Sequence, residues 1–144
     1  MTGRIVVPVD GSEFMERVVS EASELGMRYH LGLTLINVQT ENPYPGIGAN
    51  ATMRQAELRH DRMEGQKILD RAKAMAEDYT KDIEIETEIL SGNPAEEILK
   101  YADEHEADLI VIGSNASSDI KRILLGSVSG RVVAHAKQSV LVVK

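Results

Sequence analysis

Short apolar runs alternate along this chain with segments that carry a helical spacing of apolar residues. The first run, residues 4–9, is rich in β-branched residues and shows no alternation, which is typical of a strand buried on both faces of a parallel sheet. In residues 13–29 the apolar positions recur at steps of three and four, which predicts an amphipathic helix with Ser12 as its N-cap. Those positions are Phe14, Val18, Ala22, Leu25 and Tyr29.

The same alternation of strand and helix continues to the end of the sequence. It favours right-handed βαβ crossovers, and therefore an α/β fold in which a doubly wound parallel sheet carries helices on both faces. The length of 144 residues suits one domain, residues 1–144. The further predicted strands are 32–38, 83–89, 108–113 and 140–143, and the further predicted helices are 53–79, 94–105 and 127–136.

Several local signals refine these elements. Residues 83–89 alternate strictly, which predicts an edge strand whose glutamates, Glu84, Glu86 and Glu88, form a solvated face. The sequence Asn-Pro-Ala-Glu at 93–96 combines an N-cap, a proline at the first helical position and a capping-box glutamate. Gly65 weakens the long predicted helix at one point and suggests a bend.

The last predicted strand has apolar residues at successive positions, Val140, Leu141, Val142 and Val143, and lies where an outer strand is expected. An exposed apolar edge invites pairing with another chain. A two-fold partner that lays its own last strand alongside would cover this edge. The sequence therefore predicts a homodimer through the last strand.

Composition and charge limit which partners this protein could bind and in which compartment it would be found. The net charge is −7 and the pI is about 5.1, which disfavours non-specific binding to nucleic acid or to an anionic membrane. Cysteine is absent, so disulfides, thiolate metal sites and a cysteine nucleophile are excluded. The sequence shows neither a signal peptide nor a membrane span, so we expect a cytoplasmic protein without nucleic-acid or membrane partners.

The candidate chemistry lies after the fourth predicted strand. An apolar run ends at Gly113, a loop of small polar residues follows, and Gly126-Ser127 opens a predicted helix. Backbone N–H groups would converge there on an anion, and Lys121 and Arg122 would supply local positive charge. The candidate phosphate-binding residues are Gly113, Ser114, Asn115, Ala116, Gly126, Ser127, Val128 and Ser129.

Other functional signatures are missing from the sequence. No glycine-rich loop closes on Gly-Lys-Ser/Thr, no dinucleotide fingerprint follows the first strand, and there is no nucleophile elbow. The histidines, His30, His60, His105 and His135, show no metal spacing, so no metal-ligating residue is predicted. We interpret His135 as a packed or capped residue at a helix end.

Four stretches share a pattern when they are taken in order. They are an opening strand with an Asp-Gly-Ser turn, a second strand, a strand ending in Gly-Ser, and a Gly-Ser helix start that leads to a final strand. Their sequences are IVVPVDGS at 5–12, LINV at 35–38, ADLIVIGS at 107–114, and LGSVS at 125–129 with the segment to 143. In this order they resemble the universal stress protein (UspA-like) family over nearly the whole chain. The resemblance implies a five-stranded sheet in the order 3-2-1-4-5, as in adenine nucleotide alpha hydrolase-like folds, and dimerisation through the last strand.

The resemblance also implies a nucleotide site between strands 1 and 4, where the winding of such a sheet reverses. It assigns Asp10 to the nucleoside and the backbone of Val38 to adenine, with Pro8 in the same site. It assigns a Gly-x-x-Gly, nine residues, Gly-Ser/Thr pattern to the phosphates of ATP, with Mg²⁺ where phosphates are held. Gly113, Gly126 and Ser127 match this pattern in register, whereas Ala116 stands at the second glycine.

Simpler structural roles stand beside these assignments. Asp10 could cap the first helix or fix its turn, and Gly113 could form only a strand-end turn. Gly126-Ser127 could be only a helix cap, and Gly130 is interpreted as a close-packing site. At Ala116 the methyl group would cost on the order of 1 kcal/mol if positive φ is needed, or would block a phosphate.

Two functional hypotheses follow from different classes. The first is a regulatory stress-response module that binds an adenine nucleotide. The second is a nucleotide-free interaction module in which Ala116 has closed the crevice, and the dimer surface or the 39–51 loop binds proteins. Catalytic residues are not predicted, because no general base for attack on a γ-phosphate is evident, so ATP hydrolysis would at most be slow. A third hypothesis, a metabolic enzyme on this fold, has no support, because the sequence contains no catalytic triad, metal-ligand set or redox motif.

Overall fold

The computed structural model describes residues 3–40, 50–114 and 125–144, and within them strands and helices alternate as predicted. Each predicted element is present, with boundaries that differ by at most two residues. The strands are β1 (Arg4–Pro8), β2 (Gly32–Gln39), β3 (Ile85–Ser91), β4 (Leu109–Gly113) and β5 (Ser139–Val143). The helices are α1 (Met15–Tyr29), α2 (Ala51–Tyr79), α3 (Pro94–Glu104) and α4 (Ser127–His135).

Over these residues the strands form one five-stranded sheet in the order β3-β2-β1-β4-β5. Each pairing is parallel, and β1 is bonded to β2 on one side and to β4 on the other. Since β1 lies centrally and the chain then winds outwards in both directions, the winding reverses between β1 and β4. The sheet order and the doubly wound α/β class are therefore confirmed.

The side chains of successive strand residues point to opposite faces of the sheet and form a separate core on each face. One core combines Ile5 and Val7 of β1 with apolar residues of α1 and α2. The other combines Val6 of β1 and Ile110 of β4 with apolar residues of α3 and α4. This two-sided burial explains why the β1 sequence shows no alternation.

Helix starts were predicted with mixed success. At α3 the Asn93 side chain accepts a hydrogen bond from the Glu96 N–H at 3.1 Å, which confirms the N-cap. The Ser12 assignment is wrong, because α1 begins after Phe14 and has no side-chain cap. In α2 the helix begins two residues before the predicted position, because the Asn50 side chain accepts from the Met53 N–H at 2.8 Å.

The edge position of β3 and its alternating exposure are confirmed. Its glutamates are not merely solvated, however, because the Arg4 guanidinium pairs with Glu84 at 3.0 Å and with Glu86 at 2.8 Å. Burial raises the pKa of the Tyr101 phenol, and the charges of Glu88 and Glu86 act in the same direction. The glutamate face therefore takes part in a charged cluster at this side of the sheet.

Two further interpretations change in the structure. Among the described residues, a Cβ on Gly130 would meet only the Leu125 Cβ, at an ordinary 3.8 Å, so these residues give no support to the close-packing interpretation. His135 is the last residue of α4, as expected for a helix end, but its side chain is exposed rather than packed. Among the described helices, none combines the length and the apolar character that crossing a membrane requires.

The turn after β1 requires glycine at position 11. Gly11 has a φ of +77°, and a Cβ there would lie 3.1 Å from two side-chain carbons of Ile68. Both the left-handed conformation and this contact disfavour any side chain. Two features therefore constrain the turn that carries Asp10: the left-handed backbone at Gly11 and the packing of α2 against it.

We expect Gly11→Ala to lower the free energy of unfolding by about 1–2 kcal/mol, because alanine is strained at positive φ. The matched control is Gly130→Ala, which lies in a helix where a Cβ would make one ordinary contact among the described residues, and it should raise stability by about 0.5–1 kcal/mol. Urea unfolding followed by circular dichroism measures both. Equal stability of Gly11→Ala and the unmodified protein would contradict the turn geometry.

Candidate functional site

A crevice opens at the carboxyl ends of the strands, beside the point where the winding reverses between β1 and β4. Open α/β sheets bind their ligands at this position. The residues that line it come from the ends of β1, β2 and β4 and from the first turns of α1, α3 and α4. Of the predicted site residues, the crevice is lined by Pro8, Asp10, Val38, Gly113, Val128 and Ser129.

Asp10 lies on the turn that connects β1 to α1, and it is exposed at the crevice. Its Oδ1 accepts a hydrogen bond from the Ser12 N–H at 2.9 Å, and the Ser12 carbonyl accepts one from the Met15 N–H at 3.1 Å. The predicted turn-fixing role of Asp10 is thus present. These bonds hold the carboxylate in a defined place beside the crevice rather than at the end of a free loop.

The two ends of the candidate phosphate pattern meet through Ser114. This buried residue follows β4, and its N–H donates to the Val143 carbonyl at 2.9 Å. Its carbonyl accepts from the Gly126 N–H at 3.0 Å and from the Ser129 hydroxyl at 3.3 Å. The start of α4 is therefore pinned to the end of β4, so Gly113 and Gly126 lie at the same edge of the sheet.

The first turn of α4 supplies the electropositive part of the site. Gly126 is its N-cap residue and has no side chain to accept from the helix N–H groups, and the single Ser129 hydroxyl proton is shared between the Gly126 carbonyl, at 3.2 Å, and the Ser114 carbonyl. In the first turn of a helix the N–H groups lack acceptors within the helix, and the helix dipole places partial positive charge there. Val128 and Ser129 bring this helix end to the crevice, and Ser127 opens the same turn.

Part of the predicted phosphate pattern falls outside the described residues. This concerns Asn115 and Ala116, and also Lys121 and Arg122, all within the stretch 115–124. Whether the Ala116 methyl group hinders a phosphate is therefore argued from the sequence. The described residues define the sheet side and the α4 side of the crevice.

Other residues that line the crevice were missed at the sequence level. They include Phe14 and Met15 of the α1 start, Pro94 and Ile98 of α3, and Asn37 of β2. The apolar members look like ordinary core positions in the sequence, so no local signal separates them. Asn37 did carry a signal, because it is a polar residue within an otherwise apolar buried strand.

Within the three described segments, no group of three or more histidine, aspartate or glutamate side chains is placed so that it could hold a metal ion. Among the crevice-lining residues there, Asp10 is the one carboxylate. A cation at this site would therefore take most of its ligands from a bound molecule and from water. Over the described residues the crevice offers a mostly apolar wall, the Asp10 carboxylate and the first turns of α1, α3 and α4.

Comparison with known sequences agrees with this geometry. The chain matches the universal stress protein family over residues 1–144. It is 37% identical over 142 residues to universal stress protein MJ0531 of Methanocaldococcus jannaschii, covering 98% of this chain and 81% of that protein. It is 33% identical to universal stress protein YxiE of Bacillus subtilis over the full length of both proteins.

Solved structures share the fold closely. The universal stress protein UspA from Lactobacillus plantarum superposes with a TM-score of 0.84 at 27% identity, covering 99% of this chain and 97% of that one. A universal stress protein in complex with cAMP has a TM-score of 0.75 at 26% identity, with 99% and 97% coverage. The protein from Archaeoglobus fulgidus in complex with dAMP has a TM-score of 0.73 at 26% identity, with 99% and 98% coverage. With its five-stranded parallel sheet and full-length match, this chain belongs to the universal stress protein family.

Proposed function

We propose that this protein binds an adenine nucleotide in the crevice at the carboxyl ends of β1 and β4 and acts as a regulatory stress-response module. The observation that carries the proposal is that Asp10, the end of β4 and the N-terminus of α4 all lie at the same crevice. The cAMP and dAMP complexes of family members with the same fold support adenine as the base.

The chemistry of the crevice divides into three parts that match a nucleotide. Apolar side chains such as Ile98 and Val128 offer surface to a planar base, and the backbone at Val38 offers hydrogen-bonding groups to its edge. The Asp10 carboxylate can accept hydrogen bonds from ribose hydroxyls. The N–H groups at Ser127, Val128 and Ser129 suit a phosphate.

The charge balance of the protein explains why the phosphate site must be local. A net charge of −7 repels an anion at long range, so binding depends on oriented N–H groups and on the helix dipole at short range. ATP would enter together with Mg²⁺ on its phosphates, because Asp10 is the one carboxylate among the crevice-lining residues of the described segments. The cation in that case belongs to the ligand.

A binding role fits the crevice better than a catalytic one. Hydrolysis of ATP needs a group that orients water in line with the γ-phosphate. Within the described residues the carboxylate at the crevice is that of Asp10, which is engaged with the Ser12 N–H and is assigned here to the ribose. We therefore propose that any ATP turnover is slow and incidental to binding.

The alternative is a member of the family that holds no nucleotide and works through protein contacts. It is favoured by the alanine at position 116, where the nucleotide-binding pattern has glycine. A Cβ at a position where the backbone approaches a phosphate removes that approach. The two functions share the fold and the crevice, and they differ in whether an anion reaches the α4 N-terminus.

We also propose that the protein is a cytoplasmic homodimer that pairs through β5. The strand lies at the edge of the described sheet, beyond β4. Its Leu141 is 37% exposed, so a large apolar side chain lies along this open edge. A second copy laid along Val140, Leu141, Val142 and Val143 would cover this edge and satisfy its outward backbone groups.

We expect Gly126→Asp to weaken dAMP binding about tenfold or more, because its carboxylate would repel a phosphate at the α4 N-terminus. Gly126 has φ −62° and ψ 165°, a backbone conformation open to any residue, and aspartate is itself a good N-cap. The matched control is Gly126→Asn, which has the same shape without the charge. Calorimetric titration measures both, and equal affinity of the two variants would contradict a phosphate at this helix end.

We expect Ala116→Gly to strengthen ATP·Mg²⁺ binding if the methyl group hinders the phosphate loop, by about fivefold for a strain of 1 kcal/mol. Calorimetry on the unmodified protein and the variant separates the two functions. Binding in both supports the proposed nucleotide role. A complete lack of binding by the unmodified protein, with gain in the glycine variant, supports the interaction module and contradicts the nucleotide role.

We expect Leu141→Arg to shift the protein from dimer to monomer at micromolar concentration, because two-fold pairing brings like charges close together. The control is Tyr29→Arg, which changes a more exposed side chain at the end of α1 and should leave the dimer intact. Sedimentation velocity measures both. A monomeric unmodified protein would contradict the β5 interface.

A further inference from the structure

A pair of side-chain amides lies beneath α2 at the floor of the crevice, where Asn37 is also one of the lining residues. Asn37 and Gln39 continue the face of β2 that carries Leu33 and Leu35 into the core under α1 and α2. Asn37 is only 5% exposed. Its Nδ2 donates to the Val9 carbonyl at 2.8 Å, and its Oδ1 accepts from the Gln39 Nε2. Both ends of the buried Asn37 amide are therefore engaged.

This bond fixes the peptide that leads into Asp10. Val9 is the residue after β1, and its N–H donates to the Ile36 carbonyl at 2.8 Å. Its carbonyl belongs to the same planar peptide unit as the Asp10 N–H. Asn37 thus extends the β1–β2 pairing by one step beyond the last strand residue of β1, and it sets the direction in which the chain leaves the sheet at Asp10.

The amide pair occupies the space that a glycine in α2 leaves above it, and a side chain there would force one or both amides to move. A Cβ on Gly65 would clash with the Gln39 Nε2 and would lie 2.8 Å from the Asn37 Oδ1. α2 runs through Gly65 without interruption, so the glycine serves this close approach of helix and strand. The distance between α2 and β2 therefore determines how much space the two amides have.

Stability alone does not account for this arrangement. Leucine at position 37 would continue the apolar face of Leu33 and Leu35, whereas a buried amide is tolerated only when both of its ends are bonded. Glycine inside a helix is less favourable than alanine. A bonded amide pair and a helix glycine thus occupy places where apolar residues and alanine would be expected, and together they hold the carbonyl that precedes the carboxylate at the crevice.

We propose that Asn37 and Gln39, seated under Gly65, are positioning residues that couple the placement of α2 to the affinity of the crevice for a nucleotide. This inference rests on the proposed nucleotide binding. Asn37 aims the Val9–Asp10 peptide, Gln39 orients the Asn37 amide, and Gly65 lets α2 close over both. A displacement of α2 relative to β2 would change the position of Asp10 through the Asn37 amide, although no residue of α2 is assigned a contact with the nucleotide.

The decisive variant is Gly65→Ala, with Gly26→Ala as its matched control. Both are buried helix glycines, but a Cβ on Gly26 meets Ile83 at 2.7 Å and the Leu31 carbonyl at 2.9 Å, away from the crevice. Both variants should lose stability in urea unfolding. We expect only Gly65→Ala to weaken dAMP binding, by about tenfold in calorimetric titration, as for loss of one hydrogen bond to a charged group.

A second pair of variants tests the amides directly. Asn37→Leu removes the bond to the Val9 carbonyl, and we expect about a tenfold loss of dAMP affinity. Gln39→Met keeps the length of that side chain but removes the hydrogen bond that orients the Asn37 amide. Because Asn37 itself remains, the loss of dAMP affinity should be smaller. Undiminished affinity in Asn37→Leu, with normal binding by the unmodified protein, would overturn the positioning role while the nucleotide function stands.

A measurement without nucleotide keeps the two proposals distinguishable. In nucleotide-free protein, the amide resonances of Asp10 and Gly11 should shift in Asn37→Leu and Gly65→Ala but not in Gly26→Ala. If the unmodified protein binds no nucleotide, the proposed function fails and these resonances alone decide whether α2 is coupled to Asp10. Unshifted resonances, or an equal loss of dAMP affinity in Gly26→Ala, would overturn the coupling.

Discussion

The parallel pairing of β1 with β4 is the constraint on which the rest of the structure depends. β1 also pairs with β2, so the chain winds outwards from it in both directions, and a crevice must open where the winding reverses. The loops that follow β1 and β4 then face each other at the carboxyl ends of their strands. The described residues to which we assign a nucleotide contact lie at or near the ends of β1, β2 and β4 or on the helices α3 and α4. A single pairing thus brings together residues that are about a hundred positions apart in the sequence.

Hydrogen bonds at the strand ends convert this general crevice into a defined site. On one side, Val9 is bonded to β2 in both directions, which fixes the start of the Asp10 turn. On the other side, the Ser114 carbonyl holds the first turn of α4 through the Gly126 N–H and the Ser129 hydroxyl. Both anchors use backbone groups that would otherwise be left unpaired at the end of a strand or helix. In a protein with a net charge of −7, such fixed short-range donors are the means by which an anion could be held.

Much of the fold could be predicted from sequence, because burial on two faces leaves unbroken apolar runs and helices leave periodic ones. The site was predicted only in part. Asp10, Gly113 and Gly126 stand at element ends, where turn and cap chemistry is visible in the sequence. The role of Gly65 could not be found this way, since its reason is the approach of Gln39 and Asn37 from another element. Ser12 was misassigned because a serine before an apolar stripe looks like a cap, whereas its N–H is taken by Asp10 in a turn and α1 starts later.

Nucleotide binding at the reversal between β1 and β4 is most directly tested by titrating the unmodified, isotope-labelled protein with dAMP and following its backbone amide resonances. We expect saturable shifts at Asp10, Val38 and Gly113 and at the first turn of α4, residues 127–129, with little change along β3. The absence of saturable shifts, or shifts confined to β3 and the outer face of α2, would contradict a nucleotide site at this crevice.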